Sequence, residues 1–138
     1  MDFLQETFLR SEDLNDLLDL LADKRQLILY GPPGTGKTFI AQHLARLLTG
    51  LAQPGPRVQT IQFHPAYGYE DFIEGIRPES KLSPTGQQVV EYPVVAGRFR
   101  EFCERAARHD PAIAHVFIID EINRGNLPRI FGELLYLL

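Results

Sequence analysis

The residues with the plainest chemical promise are Gly31-Pro32-Pro33-Gly34-Thr35-Gly36-Lys37-Thr38, which fit the spacing G-x-x-x-x-G-K-[ST] in full. That order of residue types suits a polyphosphate. Glycines let consecutive backbone N–H groups curl around a phosphate with no Cβ in the way, and a helix starting just after them adds its positive end. Lys37 would reach the β- and γ-phosphates as a mobile point charge. The Thr38 hydroxyl would ligate a Mg²⁺ ion bridging the same phosphates. The plain alternative is a Gly/Pro turn that happens to end in Lys-Thr. The apolar run before it and the amphipathic helix after it weigh against that reading.

Further along, Val116-Phe117-Ile118-Ile119 runs directly into Asp120-Glu121. At the C-terminal end of a buried parallel strand, Asp120 would hold Mg²⁺, usually through water. Glu121 would polarise the water that attacks the γ-phosphate. On its own, such a pair is commonly a solvated strand end, but together with the upstream loop it completes a nucleotide site. The tandem acid argues against a Ras-like switch GTPase, and the chain holds no Asn-Lys-x-Asp guanine motif.

These groups need elements to position them. Ser11 is the expected N-cap of an amphipathic helix over 12–23, with Leu14, Leu17, Leu18 and Leu21 at helical spacing. Residues 26–30 read as a short buried strand entering the glycine loop. A helix follows from about Thr38, with Ile40, Leu44, Leu47 and Leu48 on one face and Gly50 as its stop. Residues 51–57 read as a linker and Val58–Phe63 as a second strand. Then come a helical turn near Tyr69–Ile73, a hairpin turning near Pro84-Thr85-Gly86, and a helix marked by Val95, Phe99, Phe102, Cys103 and Ala106 that Asp110-Pro111 ends. Val116–Ile119 is a fully buried strand, and Leu127 to Leu138 a last helix. Strand and helix alternate, which argues for an α/β fold with a mainly parallel sheet.

Composition narrows the class. The chain has 138 residues, 44% of them hydrophobic and 23% charged, which suits one globular domain and excludes wholesale disorder. A formal net charge of −4 makes stand-alone nucleic-acid binding a poor candidate, since such affinity comes from neutralising phosphates. DNA contact would be indirect or come from regions outside this sequence. One cysteine, Cys103, allows no internal disulfide and fits a reducing, cytoplasmic setting. No apolar run is long enough to span a membrane.

With both motifs placed, the chain resembles the AAA+ superfamily of P-loop NTPases, and more narrowly its McrB branch, the motor subunits of McrBC-type modification-dependent restriction systems. Three stretches carry the resemblance: LYGPPGTGKTFIAQHLA (29–45), QFHPAYGYEDFIEGIRP (62–78) and FIIDEINRGNLPRIFGELLYLL (117–138). The middle one discriminates most, because DEINR also occurs in MoxR-like remodelling ATPases. The resemblance implies a three-layer αβα core and hydrolysis of ATP or GTP with Mg²⁺. It also implies a homo-oligomeric ring, often hexameric, and an McrC-like nuclease partner. The family is unusual in using GTP, but the loop reads phosphates and is blind to the base.

On this reading residues 1–25 form a helical lead-in and 26–138 the N-terminal part of the nucleotide-binding domain. The family's sensor strand, arginine finger and helical lid do not occur in the sequence, and the final apolar run Leu134–Leu138 reads as a truncation. That strand would sit between the 26–30 strand and the Asp120 strand. Alone, the chain is therefore expected to bind nucleotide weakly and to hydrolyse it hardly at all. A non-hydrolysing nucleotide-responsive adaptor, a MoxR-like AAA+ remodelling ATPase and a small-molecule kinase are the alternatives.

Other residues carry less. Arg124 would bridge to a neighbouring subunit's nucleotide or to DNA, or lie solvated. His64 reads as a strand-end polar residue, and packing is the commoner fate of Tyr67, Tyr69 and Phe72. His43, His109 and His115 show no metal-ligand spacing with Cys103. The arginines from Arg98 to Arg108 read as a solvated face.

Overall fold

A computed structural model describes residues 3–7, 9–51 and 55–137. In chain order its elements are α1 (Phe3–Thr7), α2 (Ser11–Lys24), α3 (Lys37–Thr49), β1 (Val58–Gln62), α4 (Tyr69–Phe72), β2 (Glu74–Ile76), β3 (Glu79–Leu82), β4 (Gln88–Glu91), β5 (Val94–Ala96), α5 (Arg98–Ala106), β6 (Val116–Asp120) and α6 (Leu127–Phe131). Short 3₁₀ segments occupy Ile122–Arg124 and Gly132–Leu137. Two compact units emerge, Met1–Gln59 with Ala114–Ile118 and Thr60–Ile113 with Ile119–Leu138. The fold is α/β, with one parallel strand pair, β1 and β6, and two antiparallel pairs, β2 with β5 and β3 with β4.

In the first unit, α2 starts one residue earlier than its sequence implies. Arg10 is the capping residue and Ser11 is already helical, because Asp13 reaches back from the first turn. The Asp13 carboxylate accepts from the Arg10 N–H at 3.3 Å and from its guanidinium at 2.9 and 2.8 Å. The hydrogen bond with Arg10 holds Asp13 below its ordinary carboxylate value. Its help to α2 is therefore present above the ordinary aspartate range and fades as pH falls through the lowered value. Arg25 closes the helix in the left-handed region, its N–H donating to Leu21 O at 3.0 Å.

The expected buried strand over 26–30 does not form. Ile28 is 71% exposed and Tyr30 92%, while Leu27 and Leu29 are half-buried. Alternating apolar residues choose a face, but a strand also needs a neighbour for its N–H and C=O groups. No described strand pairs with this segment. Helix α3 begins on Lys37 and ends at Gly50, which takes a left-handed φ of 66°. Its buried positions are His43, Leu44, Ala45 and Thr49, whereas Leu47 and Leu48 are exposed rather than buried. The partner in this unit, α1, spans five residues and meets α3 around His43 through Phe3 and Glu6. Residues 52–54 of the expected linker lie outside the described residues.

Strands β1 and β6 run parallel: Val116 N donates to Arg57 O at 2.8 Å and Phe63 N to Asp120 O at 2.9 Å. All five β6 residues are half-buried, not fully buried as their apolar run suggests. A strand of a two-stranded sheet keeps one edge unpaired.

The second unit packs around aromatic rings. Phe63, Phe72 and Ile130 are fully buried. Phe72 stacks on Phe99 at 4.9 Å and meets Phe131 edge-on at 5.0 Å, while Phe63 stacks on Tyr67 at 5.1 Å. Burial pushes the Tyr67 phenol up. Val95, expected in a helix, lies instead in β5 opposite Gly75. The cause is a close backbone approach at Gly97, whose N–H donates to Ile73 O at 2.6 Å before α5 begins. The hairpin turns where expected, with Gly86 at φ 79° and Ser83 N donating to Gln87 O at 2.8 Å. The last expected helix divides at Gly132, φ 53°, into α6 and a 3₁₀ segment; Leu138 lies outside the described residues.

A Cβ on Gly97 would meet the Phe72 carbonyl carbon at 2.4 Å, so the backbone itself would have to shift. Gly97→Ala is expected to destabilise the chain by about 1–3 kcal/mol in urea denaturation, as overpacking does. Unchanged stability would contradict the close approach.

Candidate phosphate-binding site

The glycine loop belongs to the first unit. Gly31, Gly34 and Gly36 take φ values of 147°, 80° and 77°, a region other residues rarely enter. Gly36 is the capping residue of α3, and its carbonyl accepts the first helical bond from Ile40 N at 2.9 Å. Thr35 Oγ1 donates to Pro32 O at 2.9 Å, closing the turn. Lys37 folds back over it, Nζ donating to Gly31 O at 3.0 Å, Pro32 O at 2.7 Å and Thr35 Oγ1 at 3.4 Å. The ammonium is thus held beside the loop by groups it can exchange for phosphate oxygens. Gly31 to Gly36 are exposed, while Lys37 and Thr38 are half-buried in the first turn of α3.

An open cleft of about 290 Å³ borders the loop, lined by Ile28, Leu29, Tyr30, Thr35, Lys37 and Ile40. A larger hollow of about 500 Å³ on α2 is lined by Asp16, Asp19, Leu20 and Asp23, a set that repels polyphosphate. The helix behind the loop is braced by His43, whose Nδ1 lies 3.0 Å from Glu6 Oε2 and whose ring packs on Phe39 at 4.1 Å. Nothing in the spacing of His43 betrays that role.

The acidic pair belongs to the second unit. Asp120 ends β6, and its Oδ1 accepts from the Glu121 N–H at 2.9 Å. Glu121 takes a left-handed φ of 53° and starts the 3₁₀ turn Ile122–Arg124. Arg124 Nε lies 2.9 Å from Glu121 Oε2. The only hint of this pair in the sequence is its i,i+3 spacing, which eclipses side chains in a 3₁₀ turn. Of the site residues expected from the sequence, Gly31 to Thr38 thus come together in one unit, and Asp120 and Glu121 in the other. His64 and Tyr67 meet edge-on at 5.4 Å, and Tyr67 and Phe72 pack in the core. On α5 the basic residues are partly neutralised: Arg100 pairs with Glu74 and with Glu104, and Arg98 lies 3.9 Å from Glu101.

A left-handed glycine capping a helix, a lysine folded over the glycine loop and a strand ending in Asp-Glu are features of a P-loop NTPase core. The chain belongs to the AAA domain family, dynein-related subfamily, whose pattern matches residues 26–138. Within it the chain is McrB-like. It is 43% identical over 137 residues to the Type IV methyl-directed restriction enzyme EcoKMcrB subunit of Escherichia coli (strain K12). That match covers 99% of this chain, and the chain spans 28% of the relative's length. Among the described residues, no helix is long and apolar enough to cross a membrane.

A Cβ on Gly36 would meet open space, but the residue's φ is one that L side chains rarely adopt. Gly36→Ala is therefore expected to cost about 1–2 kcal/mol of stability, from left-handed strain alone. Thermal denaturation checks it, and an unchanged transition would mean the loop does not need this conformation.

Proposed function

We propose that the chain is the nucleotide-binding part of an AAA+ motor of the McrB type, which binds and hydrolyses ATP or GTP as a homo-oligomeric, six-membered ring. Residues 1–25 would be a helical lead-in, and 26–138 the N-terminal part of the nucleotide-binding domain. The carrying observation is the Lys37 ammonium held over a loop whose glycines adopt positive φ at the start of α3. That arrangement offers backbone N–H groups, a helix N-terminus and a cation to one polyphosphate.

In this reading Gly31, Pro32, Pro33, Gly34, Thr35 and Gly36 form the phosphate cradle, and Lys37 holds the β- and γ-phosphates. The donor set suits Mg²⁺, a hard cation that takes oxygen ligands: a hydroxyl from Thr38 and a carboxylate from Asp120. When bound, Mg²⁺ would neutralise charge on the phosphates. Glu121 acts as base. The water oxygen bonds to the γ-phosphorus, the bond to the β,γ-bridging oxygen breaks, and the water proton passes to Glu121 as the nucleoside diphosphate leaves. The relative's name supports a role in methyl-directed restriction. An McrC-like nuclease subunit as partner, with DNA contacted indirectly or through other regions, belongs to the same reading.

Glu121→Gln in the full-length protein tests this. The expected result is turnover reduced by about 100-fold or more, the span of general-base contributions, with nucleotide binding retained. Turnover that survives the substitution would favour a protein in which Glu121 has no chemical part. Binding without turnover in the unsubstituted protein would favour the non-hydrolysing adaptor.

A further inference from the structure

The Arg124–Glu121 pair is more than a surface ion pair. Both side chains are solvent-accessible, at 59% and 36%, and such a pair adds little to stability. Its geometry nevertheless has a direction. Glu121 is one of two non-glycine residues with positive φ among the described residues, a conformation that L side chains rarely adopt. The 3₁₀ turn after it brings Arg124 over it: Arg124 N donates to Glu121 O at 2.9 Å, and Gly125 N to Ile122 O at 3.3 Å.

The far end of that turn is anchored. A Cβ on Gly125 would fall 2.6 Å from Ile130 Cδ1 and 2.8 Å from Phe63 Cδ2, both on fully buried residues. Asn126 then caps α6, its Oδ1 accepting from Arg129 N at 3.2 Å. The backbone carrying Arg124 is thus tied at both ends to the aromatic core. The guanidinium approaches Glu121 through Nε, 2.9 Å from Oε2, and no hydrogen bond to Oε1 is found among the described residues.

We propose that Arg124 is a positioning residue for Glu121: it tethers one carboxylate oxygen and leaves the other turned out to accept a proton from the attacking water. This rests on the reading of Glu121 as the base. Arg124 touches neither nucleotide nor water in this role and acts only through the orientation of Glu121. An ion pair at 2.9 Å draws the carboxylate toward the guanidinium, whereas an exposed glutamate without a partner turns freely.

The test is a double-mutant cycle in the full-length protein, with Mg²⁺ and ATP or GTP, reading kcat and KM separately. Arg124→Ala is expected to lower kcat by about tenfold or more and leave KM for nucleotide unchanged, as loss of an interaction made only in the transition state does. Arg124→Lys should recover part of the loss. Added to Glu121→Gln, Arg124→Ala should lower kcat no further, because its effect passes through the missing carboxylate. A kcat untouched by Arg124→Ala overturns the proposal. So does a loss that adds in full to Glu121→Gln, or one seen only in KM. Wild-type turnover in Glu121→Gln alone would instead remove the base assignment, and absent turnover in the unsubstituted protein would remove the hydrolytic reading; either takes this proposal with it.

Discussion

The first unit hangs on the constraint that the chain must enter α3 through an exposed loop, Gly31 to Gly36. Three positive-φ glycines, Gly31, Gly34 and Gly36, meet that constraint, and Gly36 passes the chain into helix by capping it. The carbonyls of Gly31 and Pro32 are taken up by Lys37 Nζ, and Thr35 Oγ1 donates to Pro32 O as well. One cation therefore organises the turn and is the group best placed to meet a phosphate. Behind it, α3 is held on a single stripe by α1, through His43, Phe39, Phe3 and Glu6. Any change that loosens this stripe would reach the loop through the helix it begins.

A different device fixes the acidic pair. Phe63 comes directly after β1, donates its N–H to Asp120 O and sits at the centre of the ring cluster with Phe72, Tyr67 and Phe131. The end of β6 is thereby locked to the core of its unit by a backbone bond and a buried side chain on the same residue. The strained turn at Glu121 persists because Gly125, Phe63 and Ile130 over-determine the backbone just beyond it. Strain held beside a carboxylate by a packed core is the usual mark of a residue aimed at something.

Much of this is legible in residue types and periods. The glycine loop, β1, the turn at Tyr69 and the hairpin around Gly86 follow from motif and spacing, because each depends on local chemistry. What fails depends on partners. Residues 26–30 carry a strand's apolar pattern, yet a strand is a pairing, and no period reports whether a neighbour is there. Leu47 and Leu48 continue the stripe of α3 past the reach of a five-residue α1. Val95 obeys a helical spacing that the backbone contact at Gly97 overrides, and Gly132 divides a run of apolar residues that reads as one helix. His43 has no signature and Arg124 only its i,i+3 spacing from Glu121, since these pairings exist only once Glu6 and Glu121 are folded against them.

The decisive measurement is a thermal melt of the protein with Mg²⁺ and saturating ATP or GTP, run in parallel on Lys37→Ala. If the loop and Lys37 form a phosphate site, one nucleotide raises the transition of the native protein, by about 2.7 kcal/mol at a hundredfold excess over Kd. The substituted protein should then melt at its own baseline with either nucleotide. An equal shift in both proteins, or no shift with either nucleotide in the native one, would contradict a site built on Lys37.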